Sequence, residues 1–474
     1  MSVVEPRATR DEADRALQEL SQHLSGILIG PEDPLYDEAR AVWNGMIDLY
    51  PRAIVRAGSI DDIDRVLAAT RHTGLLLAVR GGGHNIAGHG TVEDGLVLDL
   101  GGLREVEVDN QRQLVRVEPG ATLADVDRAT TPYGLAVPMG VVSSTGVAGL
   151  ALGGGVGWLT RPDGLTADNL ESAEVITADG THLHASAHEN PDLFWALRGG
   201  GGNFGVVSSF TFRAHQLPSP LLDCNLIYRQ EHWRTALSAF AQWTEDLPEQ
   251  MNSILSILRL PPEFEVGEEP VLVVGFTWVS PDQEVGLELV ERLRLDAPPD
   301  MEEIGPVEWS QWQSAMDSVF PKGSRGYWKN TPFSRLDDEV IEALLGLAQE
   351  MAWYGTGIDI HHLEGAFARV SEDATAFPNR SARYWLNVYG YWQDPAEDEY
   401  LTTFARRVRA AMEPFAETGQ YINFLGADRG PVSPAAARLA YGQDKYQRLV
   451  EVKNRYDPEN LFRLNHNIVP KRMS

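Results

Sequence analysis

The sequence predicts a mixed helix-and-sheet (α+β) protein of two unlike parts, and three observations carry that expectation. A chain of 474 residues is longer than one hydrophobic core usually serves. Up to about residue 215 the pattern is short strands and glycine-rich turns, whereas beyond about Leu217 glycine thins and longer amphipathic helices alternate with strands. Near residue 75 a helical pattern runs straight into an apolar strand and then into a glycine loop, the signature of alternating α and β elements.

The elements follow in chain order. Thr9 and Glu12 have capping-box spacing, Ala13, Leu17, Leu20 and Leu24 make one apolar stripe, and Gly26 is expected to stop that helix. A second helix is expected from about Ser59 to Gly74, with Ile63, Val66 and Leu67 inward. The run Leu75-Leu76-Leu77-Ala78-Val79 then reads as a buried strand. Further strands are expected around residues 96–100, 114–118 and 172–177. Beyond them, residues 232–247 and 399–412 read as helices, and 270–279, 357–363 and 383–392 as strands of an antiparallel sheet with helices on one face. The expected division is 1–215, 216–415 and a turn-rich tail, 416–474.

The formal net charge of −28 leaves no basic stripe for nucleic acid or anionic membrane. Only five residues are lysine. An acidic, lysine-poor surface suits a high-salt interior, where repulsion is screened; the arginine bias of a GC-rich genome is the other source of the same composition. No stretch reaches the length of a membrane span, and the N-terminal residues have no apolar signal-peptide core, so a cytoplasmic protein is expected. Cys224 is the one cysteine, which excludes an intrachain disulfide and cysteine-based clusters, and its apolar setting predicts a buried, inert thiol.

The most informative segment is Arg80-Gly81-Gly82-Gly83-His84-Asn85. It follows a buried strand, so its glycines stand at a strand end, where several N–H groups can turn towards one anion such as a pyrophosphate. Gly153-Gly154-Gly155-Val156-Gly157 has the wrong spacing for a nicotinamide-dinucleotide fingerprint and follows a loop rather than a strand. No phosphate-loop, zinc-protease or nucleophile-elbow motif occurs. His361 and His362 are adjacent in an expected strand, so they point to opposite faces and cannot chelate one metal; no metal site is expected.

These blocks, with Gly140 to Gly149, Asn190 to Val207 and Tyr456 to Arg463 in that order, resemble the vanillyl-alcohol oxidase / p-cresol methylhydroxylase (PCMH-type) flavoprotein superfamily, in its berberine-bridge-enzyme-like branch. The resemblance spans nearly the whole chain. It implies a PCMH-type two-part FAD-binding domain and a substrate domain of antiparallel sheet covered by helices. It implies that His84 bonds covalently to the flavin, and that Val79, Arg80, Gly81, Gly82, Gly83 and Asn85 hold the pyrophosphate. Gly140, Val142, Ser144, Thr145, Gly146 and Gly149 would run beside the flavin ring and ribityl chain. Val206 or Val207 would hold the adenine side, and Asn423 and Asn465 would reach the flavin from the tail. Val142 stands where many relatives carry a second, cysteinyl flavin link, so FAD bound once, through His84, is expected.

The implied activity is that of an oxidase taking a hydride from an alcohol or amine carbon of a small organic substrate, with O2 as acceptor. A dehydrogenase, a flavin oxygenase and a non-catalytic FAD-binding protein remain the alternatives. The substrate wall is expected on two strand faces, one carrying His362 and Glu364 and the other Asn387, Tyr389 and Tyr391. His362 is the expected base and Tyr391 the second choice. His89, just after the glycine loop, is a further residue that could face the ring.

Overall fold

The computed structural model describes residues 9–260, 267, 269–319, 321–351, 356–426 and 434–471. The first helix, Arg10–Ser21, carries the capping box of Thr9 and Glu12 and buries Ala13, Leu17 and Leu20. It ends before Gly26, which serves a different purpose. A side chain there would strike the Arg56 carbonyl oxygen at 2.0 Å, so the glycine permits close approach of two chain segments. The second helix, Ile60–Thr73, does end on a left-handed glycine, Gly74, at φ 67°.

Two small sheets of four and five strands occupy the first part of the chain, beside a two-stranded pair of Leu135–Ala136 and His215–Gln216. The first is ordered Ile27–Ile29, Ala53–Arg56, Leu96–Asp99, Leu77–Arg80, and its last three strands are parallel. The second is antiparallel, ordered Val106–Asp109, Leu114–Val117, Val206–Arg213, Leu170–Ile176, His182–Ser186. Parallel strands end side by side, which is why Leu77–Arg80 delivers its glycine loop to one edge of the sheet and why Arg80 there meets Asp99 of the neighbouring strand at 3.0 Å.

The third sheet has seven antiparallel strands in the order Met301–Val307, Leu221–Tyr228, Val271–Trp278, Met251–Leu258, Gly357–His362, Tyr384–Trp392, Arg325–Phe333. One face is apolar and packs against the helices Trp233–Trp243, Asp338–Ala348 and Asp398–Met412, burying Ile358, Ile360, Leu386 and Val388. Cys224 lies on this face with no exposure, and burial raises its thiol pKa, consistent with an inert role. The opposite face alternates to polar and aromatic side chains, and this is the face turned towards the glycine loops. No helix among the described residues is long and apolar enough to cross a membrane.

The tail returns to the first part. Helices Pro434–Tyr441 and Gln443–Tyr456 share a core with Val115, Phe210 and Leu193. At its centre Lys453, fully buried, meets Asp457 at 2.6 Å and donates to the carbonyl oxygens of Asn203 and Phe462, both at 2.8 Å. Asp457 in turn accepts from the backbone N–H groups of Leu461 and Phe462. Lys453→Met would strand a buried carboxylate, so the denaturation midpoint should correspond to a loss of about 3–5 kcal/mol. The double variant Lys453→Met/Asp457→Asn should recover part of it; an unchanged midpoint in the single variant would show that the pair holds nothing together.

Candidate active site

The glycine loop after Leu77–Arg80 and the loop 140–149 press against each other. A Cβ on Gly82 would lie 2.4 Å from the Gly146 nitrogen, and one on Gly146 would lie 2.2 Å from the Gly82 nitrogen, so both positions exclude side chains. Between these loops, the turn after residue 200 and the returning tail runs a long cleft of about 1810 Å³, counted to its open mouth. It is lined by Val79 to Asn85, Gly140, Val142, Thr145, Gly146, Gly149, Val206, Val207, Asn423 and Asn465. Every residue expected to touch the cofactor is therefore here except Ser144, which does not face the cleft but approaches His84, its Oγ lying 3.1 Å from Nε2.

The cleft suits an anionic dinucleotide. Among the described residues that line it, Arg80 is the one permanently charged side chain and no carboxylate is present. Arg80 is held by Asp99 and by the Ala39 carbonyl oxygen through Nη2, while its buried Nη1 has no protein partner. Asn465 likewise donates to Gly202 and Phe462 but keeps a buried, unpartnered Oδ1. Orphaned buried polar atoms on a cleft wall are best explained by a ligand that satisfies them. FAD fits these residues: the glycine loop and Arg80 would take its pyrophosphate, and Asn465 would meet a polar group of the ligand from the tail.

Beside His84 the wall becomes aromatic. Trp43 stacks on the His84 ring with centroids 5.8 Å apart, Trp328 meets Trp43 at 6.2 Å, and Phe424 meets both Trp328 and His361 at 5.8 Å. His89 and His466 lie edge to face at 5.0 Å. Burial holds all these imidazoles neutral, pushing His84, His361 and His466 down to about 4 and His89 to about 3.

The strand register corrects the expected substrate wall. His361 pairs with Trp385, Asp359 with Asn387 and Gly357 with Tyr389, so these side chains share the face turned to the cleft, and Tyr391 follows on the same face. His362 pairs with Tyr384 on the opposite, helix-covered face. There it is buried, contacted by Arg161 at 3.0 Å and by Glu364 at 2.9 Å, and burial lowers it to about 3. His362 and Tyr391 thus stand on opposite faces of the sheet and do not form one wall. Glu364 lies past the end of the strand, at φ 74°, and pairs with Arg161 and Arg383. It is the neighbour, His361, that lines the cleft.

Beyond His361, Asp359 accepts a hydrogen bond from the Tyr389 hydroxyl at 3.2 Å, and burial raises its carboxyl to about 7. Asn387 beside it keeps a buried Oδ1 with no protein partner, and so does the indole N–H of Trp328. Sequence reading did not single out Trp43, His361, Phe424 or His466, which line the cleft, or Asp359, which shares the strand face of His361. The period-2 alternation from Asn387 across to the next strand could have found Asp359 and His361, but only with the register known. Nothing local marks Trp43 or His466.

A cofactor cleft built from glycine loops and closed by the tail, set against a polar-aromatic sheet face, defines a two-part dinucleotide-dependent enzyme. Comparison with known proteins makes the class specific. A model of the FAD binding domain matches residues 51–186, and a berberine and berberine-like model matches residues 420–469. An uncharacterized FAD-linked oxidoreductase of Bacillus subtilis, YgaK, is 30% identical over 467 residues, covering 95% of this chain and 98% of that one. The (R)-6-hydroxynicotine oxidase of Paenarthrobacter nicotinovorans is 28% identical, covering 94% and 97%. The crystal structure of 6-hydroxy-D-nicotine oxidase from Arthrobacter nicotinovorans superposes with a TM-score of 0.85 at 25% identity, over 94% of this chain and 98% of that one. Glucooligosaccharide oxidase from Acremonium strictum, a 6-S-cysteinyl, 8α-N1-histidyl FAD protein, gives the same score at 23% identity, over 97% and 100%. The chain belongs to the berberine-bridge-like family of FAD-linked oxidoreductases, within the vanillyl-alcohol oxidase / PCMH-type superfamily, and is an FAD-dependent enzyme.

Proposed function

We propose that the enzyme carries a single FAD bonded covalently to His84 and oxidises a small, uncharged, largely aromatic or apolar alcohol or amine, passing the electrons to O2. The observation that carries the substrate class is the wall beside His84. Trp43, Trp328, Phe424 and His361 offer rings and a neutral imidazole, and the cleft's one permanently charged lining side chain among the described residues, Arg80, belongs to the glycine-loop end and is already paired with Asp99. A charged substrate would lose its hydration there without gaining a partner. The bound flavin supplies acceptance of a hydride from a C–H next to O–H or N–H. This chain's residues supply the rest. Trp328 and Phe424 hold a flat substrate by its faces. Asp359, held by Tyr389, takes the heteroatom proton, and a carboxyl near 7 is matched to that work at neutral pH. Residues 1–215 and 416–474 hold the cofactor on this reading, and 216–415 provide the sheet face of the substrate wall, to which Trp43 and Phe424 are added from the other parts.

The single link rests on the residues at hand. Val142 lines the cleft and has no nucleophile, and Cys224 is buried under the helices of the other sheet face. The test of the activity is an anaerobic screen of aromatic and aliphatic alcohols, amines and sugars against the flavin absorbance, followed by admission of air. Bleaching by neutral aromatic alcohols or amines, with hydrogen peroxide on reoxidation, is the expected outcome. Bleaching only by sugars would overturn the substrate class, and bleaching without peroxide would overturn the oxidase assignment.

A further inference from the structure

We infer that Ser144 decides which nitrogen of His84 joins the flavin and carries away the proton that the bond releases; this rests on the covalent reading of His84 given above. Ser144 Oγ lies 3.1 Å from His84 Nε2, so Nε2 is the nitrogen engaged by the loop 140–149. A serine hydroxyl can accept from Nε2–H, and with Nε2 engaged in this way Nδ1 is the nitrogen left for the flavin. The neutral ring then has its proton on Nε2 and its lone pair on Nδ1, since the tautomer of an imidazole is set by the partner of its other nitrogen. Trp43 stacked on the ring fixes its plane, and burial keeps it neutral and therefore nucleophilic.

Ser144 is itself held in place from the third sheet's part of the chain. Asp317 accepts from the backbone N–H of Ser143 at 2.8 Å and from the Ser143 hydroxyl, and Gln313 donates to the Gly140 carbonyl oxygen at 2.5 Å. The loop carrying Ser144 is thus held at Gly140 and Ser143, and Asp317 acts on His84 through Ser143 and Ser144 as a positioning residue.

The step balances as follows. The Nδ1 lone pair would form the N–C bond to the 8α carbon of the flavin's methyl group, and the C–H bond broken there would lose its proton to solvent and leave its electron pair on the flavin ring. The new bond makes the imidazole cationic, and Nε2 gives up its proton to Ser144, whose hydroxyl is exposed and passes it to water. Two protons have then left histidine and FAD together, and the two electrons left on the ring pass to dioxygen, which becomes hydrogen peroxide.

The experiment measures covalent incorporation rather than turnover. Wild type, Ser144→Ala, Ser144→Thr and Asp317→Asn are purified with FAD, and acid-precipitated protein is assayed over time for retained flavin and for the added mass of one FAD. Ser144→Ala should bind FAD but bond it roughly 10²-fold more slowly, the lower end of what a positioned proton acceptor contributes. Ser144→Thr should restore the rate, and Asp317→Asn should slow it with Ser144 intact. Histidyl-flavin released by hydrolysis of wild type should be the N1 isomer, joined through Nδ1. Ser144→Ala incorporating flavin at the wild-type rate, or an Nε2-linked product, would overturn this inference while leaving His84 as the attachment site. Wild type that sheds all its flavin would instead remove the covalent reading itself.

Discussion

His84→Ala should release all of its flavin on denaturation, whereas wild-type protein stays yellow through acid precipitation and gains the mass of one FAD on the peptide that holds His84. The expectation follows from placement. His84 ends the glycine loop that would anchor the pyrophosphate, it lines the same cleft as Val142, and no thiol lies near it, because Cys224 is buried on the far face of the third sheet. The cleft itself survives the substitution, since the glycine loop, Arg80 and Asn465 remain, so the variant should still bind FAD in the fold. Its turnover should fall, because an electron-withdrawing substituent at the 8α position raises the flavin's potential and the variant lacks it. Flavin mapped to a different residue, or free FAD shed completely from unfolded wild type, would defeat the assignment.

Asp359→Asn should slow anaerobic flavin reduction by roughly 10²–10⁴-fold while leaving the flavin spectrum intact, the usual contribution of a positioned base. The pH profile offers an independent readout. A proton acceptor works deprotonated, so the wild-type reduction rate should climb as pH rises through about 7, the value to which burial lifts this carboxyl, and level off above it. The variant should lose that climb. Tyr389→Phe removes the hydroxyl that steadies the carboxylate and should move the midpoint of the profile upward with a smaller loss of rate, a shift that a purely structural role would not give. A reduction rate within a few-fold of wild type in Asp359→Asn would take the residue out of the mechanism.

The two experiments address different halves of the molecule. The first concerns the cofactor cleft, built by the two small sheets and the tail. The second concerns the polar and aromatic face that the third sheet turns towards the cleft. If the covalent bond maps to His84 but Asp359 proves dispensable, the next group to test is His361, which lines the cleft directly two residues along the same strand face.

The cofactor half of the site was legible in the sequence because its determinants are local. Glycines at a strand end, a histidine and asparagine immediately after them, and a capping box or a left-handed glycine are set by neighbours within a few residues. The helix Ile60–Thr73, the strand Leu77–Arg80 and the loop Gly81 to Asn85 accordingly fall where the sequence puts them. The single thiol and the valine at position 142 are also properties of the sequence alone.

The substrate half was decided by tertiary structure. Period-2 alternation establishes that Asn387, Tyr389 and Tyr391 share a face, and that His361 and His362 do not. It cannot say which of the two histidines joins that face, because the answer depends on how one strand registers against the next. The pairing of His361 with Trp385 places His361 towards the cleft and turns His362 under the helices, into the buried contacts of Arg161. A slip of one residue would have reversed the two, since each step along a strand exchanges its faces. Trp43 and His466 enter the site from points more than 400 residues apart in the chain, brought together by the folding of the tail onto the glycine loops, a contact for which no local pattern exists.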